Sequence, residues 1–435
     1  MSGMERPARL GLALAAGLAV ALAGGAGAQE AGKVEIVYAT FLDPTNTKDP
    51  RAAAQSRMVE AFEKANPGIT VRVEVDSNQQ ASMRALRSRA GSPDVFRVNN
   101  FNAPEFVATG SVLPLDDLIA RDKVDMKDWL LPLDAAKIDG KLYGMQQDFR
   151  IPILIYRKSL LEKAGVTPPR TFEEVCEAGG KLSKLGTVIG YAVPLGTSGG
   201  LGGAQPLAEN MFSSMATETT GHYFAADGKA MTIDPDQLLK TLRTIKDLYG
   251  KCGATPKASV QFGYNEVHDG LRAGNVAMAT YGLFRFRAIQ QGGAGEDLAW
   301  APPPAFAPDG KMAAYGYTVA VNANTAQKEA AWQFVKFMGS PEAQAIAAEG
   351  GEVVARASVY ENAPLFKTPD GQRQKEWAQL IASRGQFLSY SIALTAFHQV
   401  IGDAAQRMVL RDMSPEDARS AIEKGYKDAL AKATR

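Results

Sequence analysis

An arginine inside an apolar strand is costly unless a carboxylate or a ligand pairs with it. Arg150 is in that position, at the mouth of the run Ile151-Pro152-Ile153-Leu154-Ile155-Tyr156, with Asp148 and Asp43 as candidate partners. Polar planar groups beside aromatic rings recur in two loops. Phe41 and Asp43 follow the first predicted strand, and Asn99, Asn100, Phe101 and Asn102 follow the third. Such amides and carboxylates bind hydroxyls through paired hydrogen bonds, while aromatic rings cover apolar faces of a sugar. The chemistry these residues offer is the non-covalent capture of a polyol. Each also has a simpler use: Asp43 before Pro44 forms a turn, and Asn99 and Asn100 cap the helix starting at Ala103.

Covalent chemistry is poorly supported. Gly196-Thr197-Ser198-Gly199-Gly200 matches G-x-S-x-G in form, but a nucleophile elbow needs a strand before it and a helix directly after. Val193-Pro194-Leu195 is a poor strand, and Leu201-Gly202-Gly203-Ala204-Gln205-Pro206 does not open a helix. A secreted serine hydrolase built on Ser198 is therefore the weaker reading, and a glycine-rich loop offering N–H groups the stronger. His222, His268 and His398 are far apart without metal-ligand spacing, so surface or satisfied polar roles are expected for them. No phosphate-loop or dinucleotide fingerprint occurs. The expectation is a non-enzyme with no metal and no cofactor.

The elements that position these loops alternate. Val34–Ala39, Ile69–Val75 and Pro93–Val98 read as strands; Arg51–Ala65, Gln80–Ala90 and Ala103–Thr109 read as helices. Alternation predicts an α/β lobe with a mostly parallel sheet, whose ligands lie outside the carboxyl ends of the strands. Pro152 donates no ladder hydrogen bond, so its strand is an edge or a crossover, read here as the point where the chain passes between lobes. Helices at Phe172–Leu185, Pro235–Tyr249 and Gln327–Met338 follow, with Ser340 as N-cap and Pro341 at the first position of another.

The chain has 435 residues, too many for one core at roughly 100–200 residues per domain, so two lobes are expected. A net charge of +1 with 22% charged residues gives no field for nucleic acid or an anionic membrane. Arg6 and Arg9 precede the apolar run Leu10–Ala23 and the small-residue stretch Ala26-Gly27-Ala28, a secretory signal peptide cleaved after Ala28. Export to the periplasm follows. In that compartment Cys176 and Cys252 either bridge or remain buried thiols.

Several blocks together resemble a known family. LYG followed by a strand and IYRKSLLEKAGVTPPRTFEEV resembles the central segment of the family 1 extracellular solute-binding proteins, the sugar-capturing subunits of bacterial ABC importers. FEKANPGITVRVEV, SPDVFRVNNFNAPEFVATGSVLPLDDLI, the segment leading into Val276–Thr280, GSPEAQ and GGEVVARASVY are similar to further blocks of it, in order. Two departures are small: Tyr156-Arg157-Lys158 stands where Tyr-Asn-Lys or Tyr-Asn-Arg is usual, and Val354-Ala355 replaces a proline.

The resemblance implies a periplasmic-binding-protein-like α/β fold, two lobes joined by a crossing-strand hinge. Its expected division is residues 1–28 as signal peptide, 29–151 with 278–314 as the first lobe, and 152–277 with 315–435 as the second. It places sugar contacts in the Phe41–Asp43 and Asn99–Asn102 loops and at Arg150. Across the cleft it adds Phe284, Arg285, Tyr315, Tyr317 and Arg356. A monomer that delivers a carbohydrate to permease subunits is implied, with service to a chemoreceptor as an alternative. Arg150, Arg285 and Arg356 could instead converge on an anionic solute, a sugar acid or a sugar or glycerol phosphate. Pairing of Arg150 with Asp148 or Asp43 would favour a neutral sugar.

Overall fold

The computed structural model describes residues 33–76, 80–196, 205–225, 227–307, 310–388 and 391–433. The expected signal peptide and Ser198 lie outside the described residues.

Alternating strands and helices build two α/β lobes around separate sheets. In the first, β1 (Val34–Thr40) runs parallel to β2 (Ile69–Val75) and to β3 (Val95–Asn99). β4 (Met145–Arg150) and β5 (Pro152–Arg157) follow, then β6 (Met278–Gly282), β7 (Leu298–Ala301), β8 (Met312–Val321) and β9 (Gly385–Phe387). The first sheet has the order β2-β1-β3-β8-β4, with β8 antiparallel to both β3 and β4, and β9 beside the start of β8. The second sheet is β6-β5-β7, antiparallel throughout. The expected parallel character thus holds for the first three strands and fails where β8 intrudes.

β4 ends at Arg150 in one sheet and β5 begins at Pro152 in the other, with Ile151 alone between them. β5 is the central strand of its sheet, not an edge; Pro152 is tolerated because it is the first residue, where a missing N–H costs least.

Strand pairing also redraws the expected division. Residues 278–301 were expected with the first lobe, yet β6 and β7 flank β5. Residues from 315 onward were expected with the second, yet β8 completes the first sheet. The helices Lys328–Met338 and Pro341–Glu349 return to that sheet as well: Phe334 packs edge-on against Tyr38 and Phe62, with ring centroids 5.1 and 5.0 Å apart. Alternation reveals a strand but not its neighbours.

Local signals hold better. The helix Pro50–Ala65 is capped by Asp49, starts on proline and buries Met58, Val59 and Phe62, as helical spacing demands. Pro235–Tyr249 and β2 have the expected bounds, and Ser340 caps its helix through Ala343 N–H. Cys176, in the helix Phe172–Ser183, is bonded to Cys252 just beyond Tyr249, closing a loop with a sequence separation of 76. Of the two readings left open for the cysteines, the structure selects the bridge.

Candidate ligand-binding cleft

β4 is buried at every position although four of its six residues, Gln146, Gln147, Asp148 and Arg150, are polar or charged. A strand that buries this much polarity must satisfy it internally. Gln146 accepts from Asn100 Nδ2 (3.1 Å) and donates to the Asp148 carbonyl (2.7 Å), and Gln147 donates to the Met338 carbonyl (2.8 Å). The pairing with β8 slips between Gln146 and Asp148, a bulge of the kind that re-aims side chains near sites. Gly316 makes this approach of the strands feasible, since a Cβ there would lie 2.0 Å from the Asp148 carbonyl oxygen.

Four buried charges meet at this bulge. Arg97 Nη2 lies 2.5 Å from Asp148 Oδ2 and 3.1 Å from Glu352 Oε1. Arg150 approaches the same two carboxylates, Nε at 3.5 Å from Asp148 and Nη2 at 3.6 Å from Glu352. The guanidiniums also stack on rings: Arg97 is 4.9 Å from Phe41 and 5.1 Å from Tyr317, while Arg150 is 4.6 Å from Tyr317 and 4.7 Å from Phe284. Burial alone would raise the Glu352 pKa, but the charges of Arg150 and Arg97 outweigh it and hold it down at about 2. Asp148 moves up, through burial first and the neighbouring Glu352 charge second. Two cations and two carboxylates leave the group close to neutral.

Beside this cluster the two lobes face each other across a narrow pocket. Asn99, Phe101 and Asn102 form one wall; Gln205, Glu209 and His398 line the other. Phe101 stacks on Tyr315 at 5.0 Å and meets His398 edge-on at 5.6 Å. Burial lowers the His398 pKa to about 4, keeping the ring neutral, and its Nε2 has no hydrogen-bond partner among the described residues. Glu209 sits on a π-helical turn, Ala208–Phe212, and burial raises its pKa while Tyr264, Gln205 and the Arg150 charge oppose the rise. A separate, wider pocket is lined by Lys137 and Asp139 together with His222 and Lys229.

The expected site residues divide accordingly. Phe41, Asp148, Arg150, Phe284 and Tyr317 come together around the charge cluster, and Phe101 and Tyr315 join them at the seam. Asn99 lines the cleft and accepts from Phe101 N–H, capping the 3-10 turn Asn100–Asn102 and not the helix starting at Ala103 that was expected for it. Asn100 instead turns inward to Gln146. Asp43 accepts from both the N–H and the hydroxyl of Thr45 (2.8 and 2.7 Å), making it a turn former that does not pair with Arg150. Arg285 lies 5.7 Å from the Phe284 ring and 5.7 Å from the Tyr264 ring. Arg356 is elsewhere: it stacks on Trp129 at 3.8 Å and donates to the carbonyls of Gly339 and Asp125, both at 2.8 Å. The three-arginine convergence expected for an anion does not form.

Sequence reasoning missed Arg97, Glu209 and Glu352, and of the surface or satisfied roles expected for His398 burial excludes the first. Arg97 was findable, because a charge at the centre of the apolar strand Val95–Asn99 invites the argument used for Arg150. Glu209 and Glu352 carry no local signal.

A family profile described as bacterial extracellular solute-binding protein matches residues 44–345. The "Putative ABC transporter periplasmic-binding protein YcjN" of Escherichia coli is 26% identical over 68% of this chain and 67% of its own length. Among solved structures, the GacH receptor of Streptomyces glaucescens, described unliganded and with acarbose, is 23% identical with a TM-score of 0.73, covering 92% of this chain and 99% of that one. The cyclic alpha-maltosyl-1,6-maltose binding protein of Arthrobacter globiformis is 17% identical with a TM-score of 0.75, covering 92% and 100%. These structures share the fold.

Proposed function

The chain belongs to the bacterial extracellular solute-binding proteins, and from that premise we propose that it is the periplasmic substrate-binding subunit of an ABC importer. It captures an uncharged carbohydrate by closing its lobes and hands it to a membrane permease. The observation that carries the ligand class is the charge balance of the cleft. Arg97 and Arg150 are matched by Asp148 and Glu352, and the adjoining walls offer amides, an aromatic face, a neutral imidazole and one further carboxylate. A polyol can use every one of these groups, whereas an anion would meet no surplus positive charge.

The lobes change sheets through Ile151, a one-residue link suited to hinge motion, and ligand contacts from both walls would stabilise the closed form. The Cys176–Cys252 bridge agrees with export to an oxidising compartment. The names of the solved relatives, with acarbose and a cyclic maltosyl-maltose among their ligands, point to the same class of solute.

A thermal-shift panel on residues 29–435 tests this reading. Neutral mono- and oligosaccharides are set against uronates, sugar phosphates and amino acids. A ligand at 100 times its dissociation constant adds about 2.7 kcal/mol to the folded state. Stabilisation by a neutral sugar supports the proposal; stabilisation by an anionic or amino-acid probe alone overturns the carbohydrate assignment.

A further inference from the structure

We infer that Glu209 determines specificity in this cleft, holding a pair of neighbouring hydroxyls on an uncharged sugar and turning away sugar acids. The inference rests on the carbohydrate reading above and adds a residue and a selection rule to it.

Glu209 is 4% exposed and lines the pocket between the lobes. Its carboxylate is fixed from its own side of the cleft: Tyr264 Oη donates to Oε2 at 2.6 Å, and Gln205 Nε2 donates to Oε1 at 2.5 Å. Tyr264 is itself held, accepting from Asn210 Nδ2 at 3.1 Å. A carboxylate has about four acceptor positions, so these donors leave one on each oxygen. Two adjacent acceptors at fixed spacing suit two adjacent hydroxyl donors.

The backbone supports this aim. The π-helical turn Ala208–Phe212 interrupts the helix at Glu209 itself, and such turns are frequent at functional sites because they redirect side chains. A second, independent feature of the same wall points to a ligand. His398 is 6% exposed, lines the pocket and leaves Nε2 without a hydrogen-bond partner among the described residues. A buried polar atom of this kind calls for an explanation, and a ligand hydroxyl supplies one. Opposite stand Asn99 and Phe101, the latter edge-on to the His398 ring at 5.6 Å. A sugar that bonds to Glu209 and His398 on one lobe and reaches Asn99 on the other favours closure. A ligand carboxylate at this place would face Glu209 with like charge in a buried setting, which disfavours it.

Isothermal titration of the full mature chain tests the assignment, with maltotriose, cellotriose, mannotriose and arabinotriose as uncharged probes and trigalacturonate as the acidic one. The wild type is expected to bind at least one uncharged probe and not the acidic one. Glu209→Gln should weaken the bound probe by about 30- to 100-fold, the loss of charge-assisted hydrogen bonds, and narrow the gap to trigalacturonate. Glu209→Asp, which keeps the charge but withdraws it by one methylene, should also weaken binding and guards against a folding defect in the first variant. Unchanged circular dichroism in either variant ties the loss to the site. Affinity within threefold of wild type in a folded variant overturns the role of Glu209 and leaves the carbohydrate reading standing. No binding of any uncharged probe by the wild type overturns that reading, and this inference with it.

Discussion

Glu352→Gln removes one of the two carboxylates that neutralise Arg97 and Arg150, without changing the side chain's size. Glu352 is buried and lies 3.1 Å from Arg97 and 3.6 Å from Arg150, so its loss leaves an uncompensated buried cation. Breaking a buried pair in this way costs about 3–5 kcal/mol. Linkage gives a second figure. The Glu352 pKa falls from the ordinary 4.5 to about 2 on folding, and at about 1.36 kcal/mol per pKa unit that corresponds to roughly 3 kcal/mol. Because the folded pKa is depressed, this stability is fully present above pH 4.5 and disappears as the pH falls towards about 2. Asp148 shifts the opposite way, partly because of the Glu352 charge, so removing Glu352 relaxes Asp148 and trims the cost. The expected result is a variant about 3 kcal/mol less stable at pH 7, read by equilibrium urea denaturation. Between pH 4.5 and about 2 the wild type and the variant should converge. A gap that stays constant through that window, or no gap at pH 7, refutes the claim that Glu352 is held ionised by the two arginines.

Three further outcomes are expected. Replacing Cys176 and Cys252 by serine, which opens a loop with a sequence separation of 76, should cost about 4 kcal/mol on the loop-entropy account; denaturation with and without reductant checks it. Gly316→Ala places a Cβ 2.0 Å from the Asp148 carbonyl and 2.8 Å from Gln146 Nε2. Pushing β4 off β8 should cost about 1–3 kcal/mol and weaken sugar binding in titrations, since the charge cluster is carried on those strands. Arg356→Ala leaves the carbonyls of Gly339 and Asp125 unpaired and uncovers Trp129. It should destabilise the protein by about 3 kcal/mol with sugar affinity unchanged, and a matching loss of affinity would restore Arg356 to the cleft.

The cost of burying charge made part of the site legible in advance. Arg150 stood out because an arginine in an apolar run must have a partner, and Asp148 is such a partner. Composition alone could not say that Asp43 would be absorbed by Thr45, or that Asn100 would turn to Gln146. Those outcomes depend on the bulge in β4 and on the approach of neighbouring strands. Arg356 shows the same limit from the other side, as its carbonyl and ring partners come from distant parts of the chain.

What the sequence determined by itself was local or cumulative: helix starts at Pro235 and Pro341, the alternation of β2, the crossover at Pro152, and a family resemblance spread over ordered blocks. Caps, periodicity and proline restrictions act over a few residues, so the sequence states them directly. Tertiary structure alone decided that β6 and β7 flank β5, that β8 is inserted between β3 and β4, and that Glu352 meets Arg97 across 255 positions. It also decided that a π-helical turn carries Glu209 to the cleft. Pairing partners and convergent side chains are set by the energy of the assembled core, where an unmatched charge or edge is costly, and no short stretch of sequence records that balance.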